Sequence, residues 1–155
     1  MNHYPVLYVE DEENDAIFLR NAWKKAGLLN PLHIVTDGEQ AVEYLSGQGA
    51  FANRDEHAIP ALVLLDLKLP KLSGLDVLKW IREQRLIHTL PVIVFSSSNN
   101  PQEVYRAYEL RANAYLVKPA NVQGLIELVA SLKDFWLGRV NFSAAFAELS
   151  LRPGG

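Results

Sequence analysis

Five times in this chain a short apolar run gives way to a stretch with helical periodicity. The runs are Val6–Val9, Pro31–Val35, Leu62–Leu65, Pro91–Phe95 and Ala114–Val117. Each is too short for a helix, and together they are rich in β-branched and aromatic residues, so each reads as a buried strand. Between them, apolar residues recur at helical spacing: Phe18, Leu19, Ala22, Trp23 and Ala26, then Ala41, Val42 and Leu45, then Leu75, Val77, Leu78 and Ile81. Asn14 and Asp15 are placed to cap the first of these helices, and Gly27 to end it. Asp37 and Gly38 open the second. The third runs from about Gly74 to Arg85, the fourth from Pro101 to about Ala112 and the last from Asn121 to about Trp136. Residues 48–60 read as a loop. Alternating strand and helix predicts an α/β fold: a doubly wound, five-stranded parallel sheet with helices on both faces and right-handed crossovers.

That architecture places all strand carboxyl ends on one edge, where open α/β sheets bind ligands. Four of the five ends carry polar chemistry there: Glu10 with Asp11, then Asp66, Ser96 and Lys118. Asp66 closes the run Leu62–Leu65 and is followed by the turn signals Pro70, Ser73 and Gly74. An unpaired carboxylate is costly inside such a strand but not at its end. Converging carboxylates repel unless a cation lies between them. With no His or Cys beside them, an all-oxygen site favours Mg²⁺ over zinc. A lysine and a hydroxyl suit phosphoryl oxygens. The set is built to place a phosphoryl group on or beside a carboxylate, and the carboxylate can itself be the nucleophile.

Composition removes other classes. The 155-residue chain has a net charge of −3, which argues against nucleic acid or an anionic membrane as a charge-held partner. It has no cysteine, hence no disulfide framework or thiolate chemistry. The amino terminus lacks the pattern of a signal peptide, and no apolar run has the length of a membrane span. A cytoplasmic domain is the expectation.

With these motifs in this order, residues 5–133 closely resemble the receiver domain of two-component response regulators, a flavodoxin-like (βα)5 fold. The resemblance implies that Asp66 accepts a phosphoryl group from a sensor histidine kinase. It implies Mg²⁺ held by Asp11, Asp66 and the backbone carbonyl of Lys68, with Glu10 acting through water. It implies that Lys118 contacts the phosphoryl group, that Ser96 moves to hydrogen-bond it, and that Tyr115 turns inward as the switch partner. Such a domain is not an enzyme in the ordinary sense, although it can catalyse its own phosphorylation and dephosphorylation. Val9, Glu10, Asp11 and Asp15, the long 48–60 loop and Phe135-Trp136 further resemble the single-domain regulators that accompany bacterial phytochromes. That subgroup commonly forms homodimers.

Competing readings attach to several positions. Asp66 would otherwise be a turn residue, and Glu10 and Asp11 would favour the following helix N-terminus in any case. Ser97 or Ser98 replaces Ser96 if the strand register slips by one. A strand tyrosine such as Tyr115 is more often packed than switching. Departures from the family pattern are Ser96 for the more usual Thr, Arg111 where Gly is common, Ala120 after Lys118-Pro119, and Lys68 two residues after the acceptor. A Mg²⁺-dependent small-molecule phosphatase also uses a strand-end Asp, but commonly with a second Asp where Lys68 stands. A binding-only receiver is the third reading, and all five site positions are filled.

The expected domains are a receiver over 1–136 and a C-terminal extension over 137–155. Phe135, Trp136, Val140, Phe142, Phe146 and Leu149 make the end of the chain apolar, either as a dimerisation arm or as a segment folded back on its own domain. No separate output domain is expected after the last helix within these 155 residues. The surface of the first helix around Ile17 is where kinase docking is expected.

Overall fold

The computed structural model describes residues 3–138. The element order is β1 (Val6–Val9), α1 (Glu13–Lys25), β2 (Leu32–Val35), α2 (Gly38–Ser46), β3 (Leu62–Leu65), α3 (Gly74–Glu83), β4 (Val92–Ser96), α4 (Pro101–Glu109), β5 (Ala114–Val117) and α5 (Val122–Ser131). A 3-10 turn, Gly49–Phe51, lies in the α2–β3 loop, and a π-helical segment, Leu132–Leu137, continues α5. All strand pairings are parallel, and the sheet order is β2-β1-β3-β4-β5. The expected doubly wound α/β fold is the one found.

Side-chain alternation along each strand divides the core into two layers. Leu7, Val9, Val63, Leu65, Val92 and Val94 face α2, α3 and α4. Val6, Tyr8, Leu62, Leu64, Ile93 and Phe95 face α1 and α5. The central strands are buried on both sides, which is why their sequences are continuous apolar runs. Side-chain caps start four helices. Asp37, Ser73, Asn100 and Asn121 accept from the backbone N–H of Gln40, Asp76, Gln102 and Gly124, each cap contributing about 1 kcal/mol.

The helix ends depart from the sequence reading. Helix α1 starts at Glu13 with no side-chain cap, so Asn14 and Asp15 lie in its first turn. Helix α4 stops at Glu109 because Arg111 takes a left-handed backbone, φ 69°. That conformation costs a non-glycine residue about 1–2 kcal/mol. A reciprocal contact offsets it: Arg82 donates to the Arg111 carbonyl at 3.1 and 2.9 Å, and Arg111 donates to the Arg82 carbonyl at 3.3 Å. The regular part of α5 ends at Ser131, and the wider turn that follows buries Leu132 and packs Trp136 on the core while Phe135 stays 59% exposed. Phe18, expected on the inner face of α1, is 48% exposed, as is Ile17. Val140, Phe142, Phe146 and Leu149, and all of the proposed extension except Leu137 and Gly138, lie outside the described residues.

Candidate functional site

Strand order turns the sheet's carboxyl edge into a crevice. The order of strand addition reverses between β1 and β3, with β2 on one side and β4 and β5 on the other, and the loops after β1 and β3 part there. Glu10 and Asp11 follow β1, and Asp66 follows β3 in hydrogen-bonded register with it: the Asp66 N–H donates to the Val9 carbonyl at 3.1 Å. One oxygen from each of Glu10, Asp11 and Asp66 lies within 4.8 Å of the others. Asp66 is nearly buried, and its Oδ1 accepts from the N–H of Leu67 at 2.7 Å.

Lys118 reaches this cluster from the end of β5. Its Nζ donates to Glu10 Oε1, to Asp15 Oδ2 at 2.9 Å and to Asp66 Oδ2 at 3.2 Å. The Lys118 N–H donates to the Ser96 carbonyl at 2.8 Å, which fixes where its side chain departs. Ser96 Oγ is buried and accepts from the Ser98 N–H at 3.2 Å. Ser96 is the last residue of β4, one residue later than the expected strand boundary. Tyr115 projects toward the same loop and its hydroxyl donates to the Ser98 carbonyl at 2.8 Å. Lys68, Ser97 and Ser98 join the acids, Ser96 and Lys118 around a cleft of about 270 Å³.

The charges in this cleft are coupled. Burial, then the neighbouring Asp66 carboxylate, pushes Glu10 up to about 7, against the opposing pull of Lys118 and Tyr8. Burial alone would lower the Lys118 ammonium, but its contacts with Asp15 and Glu10 outweigh that and hold it above its ordinary value. An ammonium facing three carboxylates stays cationic, while Glu10 is held above the ordinary carboxylate range.

Two participants were not assigned from sequence. The Tyr8 hydroxyl donates to Glu10 Oε1 at 2.8 Å, and burial, with Glu10 next, raises the phenol far above its ordinary range. The signal was present: residues two apart on a strand share a face. Asp15, expected as a cap, instead directs its carboxylate at Lys118. Here too the spacing carried the information, because Asp11 and Asp15 are four apart where the chain enters α1.

The donor set fits a hard divalent cation. Three carboxylates meet at an open cleft with no nitrogen or sulfur ligand among them, the chemistry of Mg²⁺ or Mn²⁺ rather than zinc.

Comparison with known proteins agrees with this geometry. The family model for the response regulator receiver domain matches residues 6–130. The response regulator Rcp1 of Synechocystis sp. is 36% identical over 140 residues, covering 90% of this chain and 93% of Rcp1. The crystal structure of the Mn²⁺-bound form of Rcp1 superposes with a TM-score of 0.79 at 34% identity, over 89% of this chain and 97% of the other. That of the phosphorylated cyanobacterial phytochrome response regulator RcpA gives 0.83 at 33% identity, over 90% and 98%.

Proposed function

We propose, from the premise that this chain belongs to the response regulator receiver domain family, that it is a phospho-accepting signalling switch with Asp66 as the acceptor. The observation that carries the reading is the meeting of Glu10, Asp11 and Asp66 within 4.8 Å, with the Lys118 ammonium 3.2 Å from Asp66. An Asp66 oxygen attacks the phosphorus of a phosphohistidine. The P–N bond breaks, a P–O bond to Asp66 forms, and the imidazole leaves with the bonding pair. Positioning and charge neutralisation are most of what this transfer requires.

Asp11, Asp66 and the backbone carbonyl of Lys68 would hold Mg²⁺, with Glu10 acting through water. When bound, the ion supplies neutralising charge for the phosphoryl oxygens. Lys118 donates to the transferred group. Ser96 exchanges its bond with the Ser98 N–H for one to the phosphoryl group, and Tyr115, already directed at Ser98, follows it as the second switch residue. Small acyl phosphates would serve as alternative donors, making phosphorylation self-catalysed. The phosphatase reading is not favoured: Lys68 supplies no acid/base group where such an enzyme needs one.

Similarity to the phytochrome response regulator RcpA supports a phytochrome-type sensor histidine kinase as the donor. The proposal extends to a receiver domain over 1–136, a cytoplasmic location without nucleic-acid or membrane binding, and a homodimer. Among the described residues no helix is long and apolar enough to cross a membrane. Tyr105 and Tyr108 on α4, Val117 on β5 and Phe135 are exposed apolar side chains available to a dimer contact. Sedimentation of a chain ending at Gly138, which retains Leu132 and Trp136, tests whether residues 139–155 contribute: a monomer where the full chain is a dimer assigns them to the interface, and a dimer of the shortened chain removes them from it.

The function itself is tested by labelling wild type and Asp66→Asn with a phosphorylated histidine kinase and Mg²⁺. Label on wild type alone is expected. Absence of label on wild type, or its retention by Asp66→Asn, overturns the assignment.

A further inference from the structure

An ammonium group has three N–H donors. In Lys118 each is taken by a different carboxylate: Glu10, Asp15 and Asp66. A phosphoryl group arriving on Asp66 brings new anionic oxygens that compete for those donors. One existing partner must be released, and burial decides which.

The Glu10 side chain is fully buried. Removing the ammonium would leave this buried carboxylate with only the Tyr8 hydroxyl and the Glu12 N–H as donors, the most expensive of the three losses. Asp66 carries the incoming group and keeps Lys118 beside it. The Asp15 side chain is 34% exposed, so water replaces the ammonium there at small cost. Asp15 also stands apart from the three carboxylates that converge as a cation site. Its connection to the reacting centre runs through Lys118.

We propose that Asp15 is a positioning residue that holds Lys118 while Asp66 is unmodified and releases it as the phosphoryl group arrives, thereby restraining the rate of phosphorylation. The first turn of α1 fixes this residue, and Asp15 and Lys118 together form the wall between the phosphorylation cleft and an apolar groove lined by Phe18, Phe95 and Leu125. Asp15 is therefore a point at which the surface of α1 meets the chemistry.

This inference rests on the assignment of Asp66 as acceptor. The test uses acetyl phosphate with saturating Mg²⁺ on the full chain. In that step the P–O bond to acetate breaks, a P–O bond to Asp66 forms, and acetate leaves with the bonding pair. Asp15→Asn replaces a charge-assisted hydrogen bond with a neutral one of about half the strength, so the initial rate is expected to rise about fivefold. Asp15→Glu restores a charged acceptor and is expected to stay within about twofold of wild type. On a Lys118→Gln background, whose slower labelling is followed over longer times, the effect of Asp15→Asn is expected to vanish. The half-saturating Mg²⁺ concentration is expected to be the same in wild type and Asp15→Asn.

An unchanged rate in Asp15→Asn overturns the proposal. So does an effect that persists without Lys118, which would mean a through-space charge, or one that tracks a shift in Mg²⁺ affinity. An Asp66→Asn control separates the two claims. If wild type labels, Asp66→Asn does not, and Asp15→Asn labels at the wild-type rate, only the role of Asp15 falls. Label on Asp66→Asn removes the acceptor assignment itself.

Discussion

Lys118 donates to the buried carboxylate of Glu10 across the carboxyl edge of the sheet, tying the end of β5 to the end of β1 over the two strands between them. The Tyr8 hydroxyl supports the same Glu10 oxygen from below. Without a divalent cation, Lys118 is the charge that allows three acids to share the cleft. Lys118→Gln should therefore cost about 2–3 kcal/mol of stability in metal-free buffer, because a buried acid loses its partner. Mg²⁺ should return part of that loss by binding the folded state. Urea unfolding with and without Mg²⁺ measures both.

Glu10 gives the metal-free protein a pH dependence of defined sign. Its folded value, about 7, lies above the ordinary 4.5. The folded state thus binds this proton more tightly than the unfolded chain does. The associated stability is fully present below about 4.5 and is lost as pH rises through about 7, a change on the order of 3 kcal/mol. Thermal unfolding in EDTA should show the melting temperature falling across this window from Glu10's contribution, and Glu10→Gln should flatten that slope. Mg²⁺ binding should release protons near pH 7 and tighten as pH rises.

Arg82 is a structural hub far from the cleft. Its half-buried guanidinium donates to the carbonyls of His88, Leu90 and Arg111 and to the side-chain oxygen of Asn113. Asn113 Oδ1 also accepts from the N–H of Val92, so one side chain ties α3 to the starts of β4 and β5. Arg82→Ala should cost about 2–3 kcal/mol, with Lys a poor substitute because it lacks the planar fork. The urea midpoint should fall while the m-value stays constant.

Gly74 sets how closely α3 approaches the acceptor loop. A Cβ there would lie 2.1 Å from the Asp66 carbonyl oxygen and 2.7 Å from Leu67 Cα. The Gly74 N–H also donates to the Leu67 carbonyl at 2.9 Å. Gly74→Ala must push helix and loop apart, at about 1–3 kcal/mol. It should also slow labelling of Asp66 more than its stability loss explains, since the acceptor is displaced directly. Labelling rates compared with an equally destabilised Arg82 variant check this.

The strands were legible because burial on both faces leaves only apolar residues between polar ends. The edge chemistry followed once the strands were parallel, as the convergence of Glu10, Asp11, Asp66 and Lys118 shows. Helix ends were less legible, since they depend on backbone choices made by tertiary contacts. Arg111 ends α4 because Arg82 binds its carbonyl, a pairing 29 residues apart in sequence. Phe18 fits the apolar period of α1 yet is half-exposed beside the buried stripe of Leu19, Ala22 and Trp23, where it lines a groove with Leu125. Asp15 suits a helix cap by its place in the sequence, but the ammonium that claims it lies 103 residues away. The Tyr8–Glu10 bond was local and open to strand alternation, but Tyr8 also fits the hydrophobic run, which hid its polar role.

The acceptor itself is the central claim. Phosphorylating the full chain with acetyl phosphate and Mg²⁺, reducing the acyl phosphate with borohydride and mapping the peptides by mass spectrometry identifies the modified residue. The account predicts homoserine at position 66 and at no other carboxylate. Homoserine at Asp11 or Asp15, or an unmodified peptide containing Asp66 in a chain that has taken up phosphate, would contradict it.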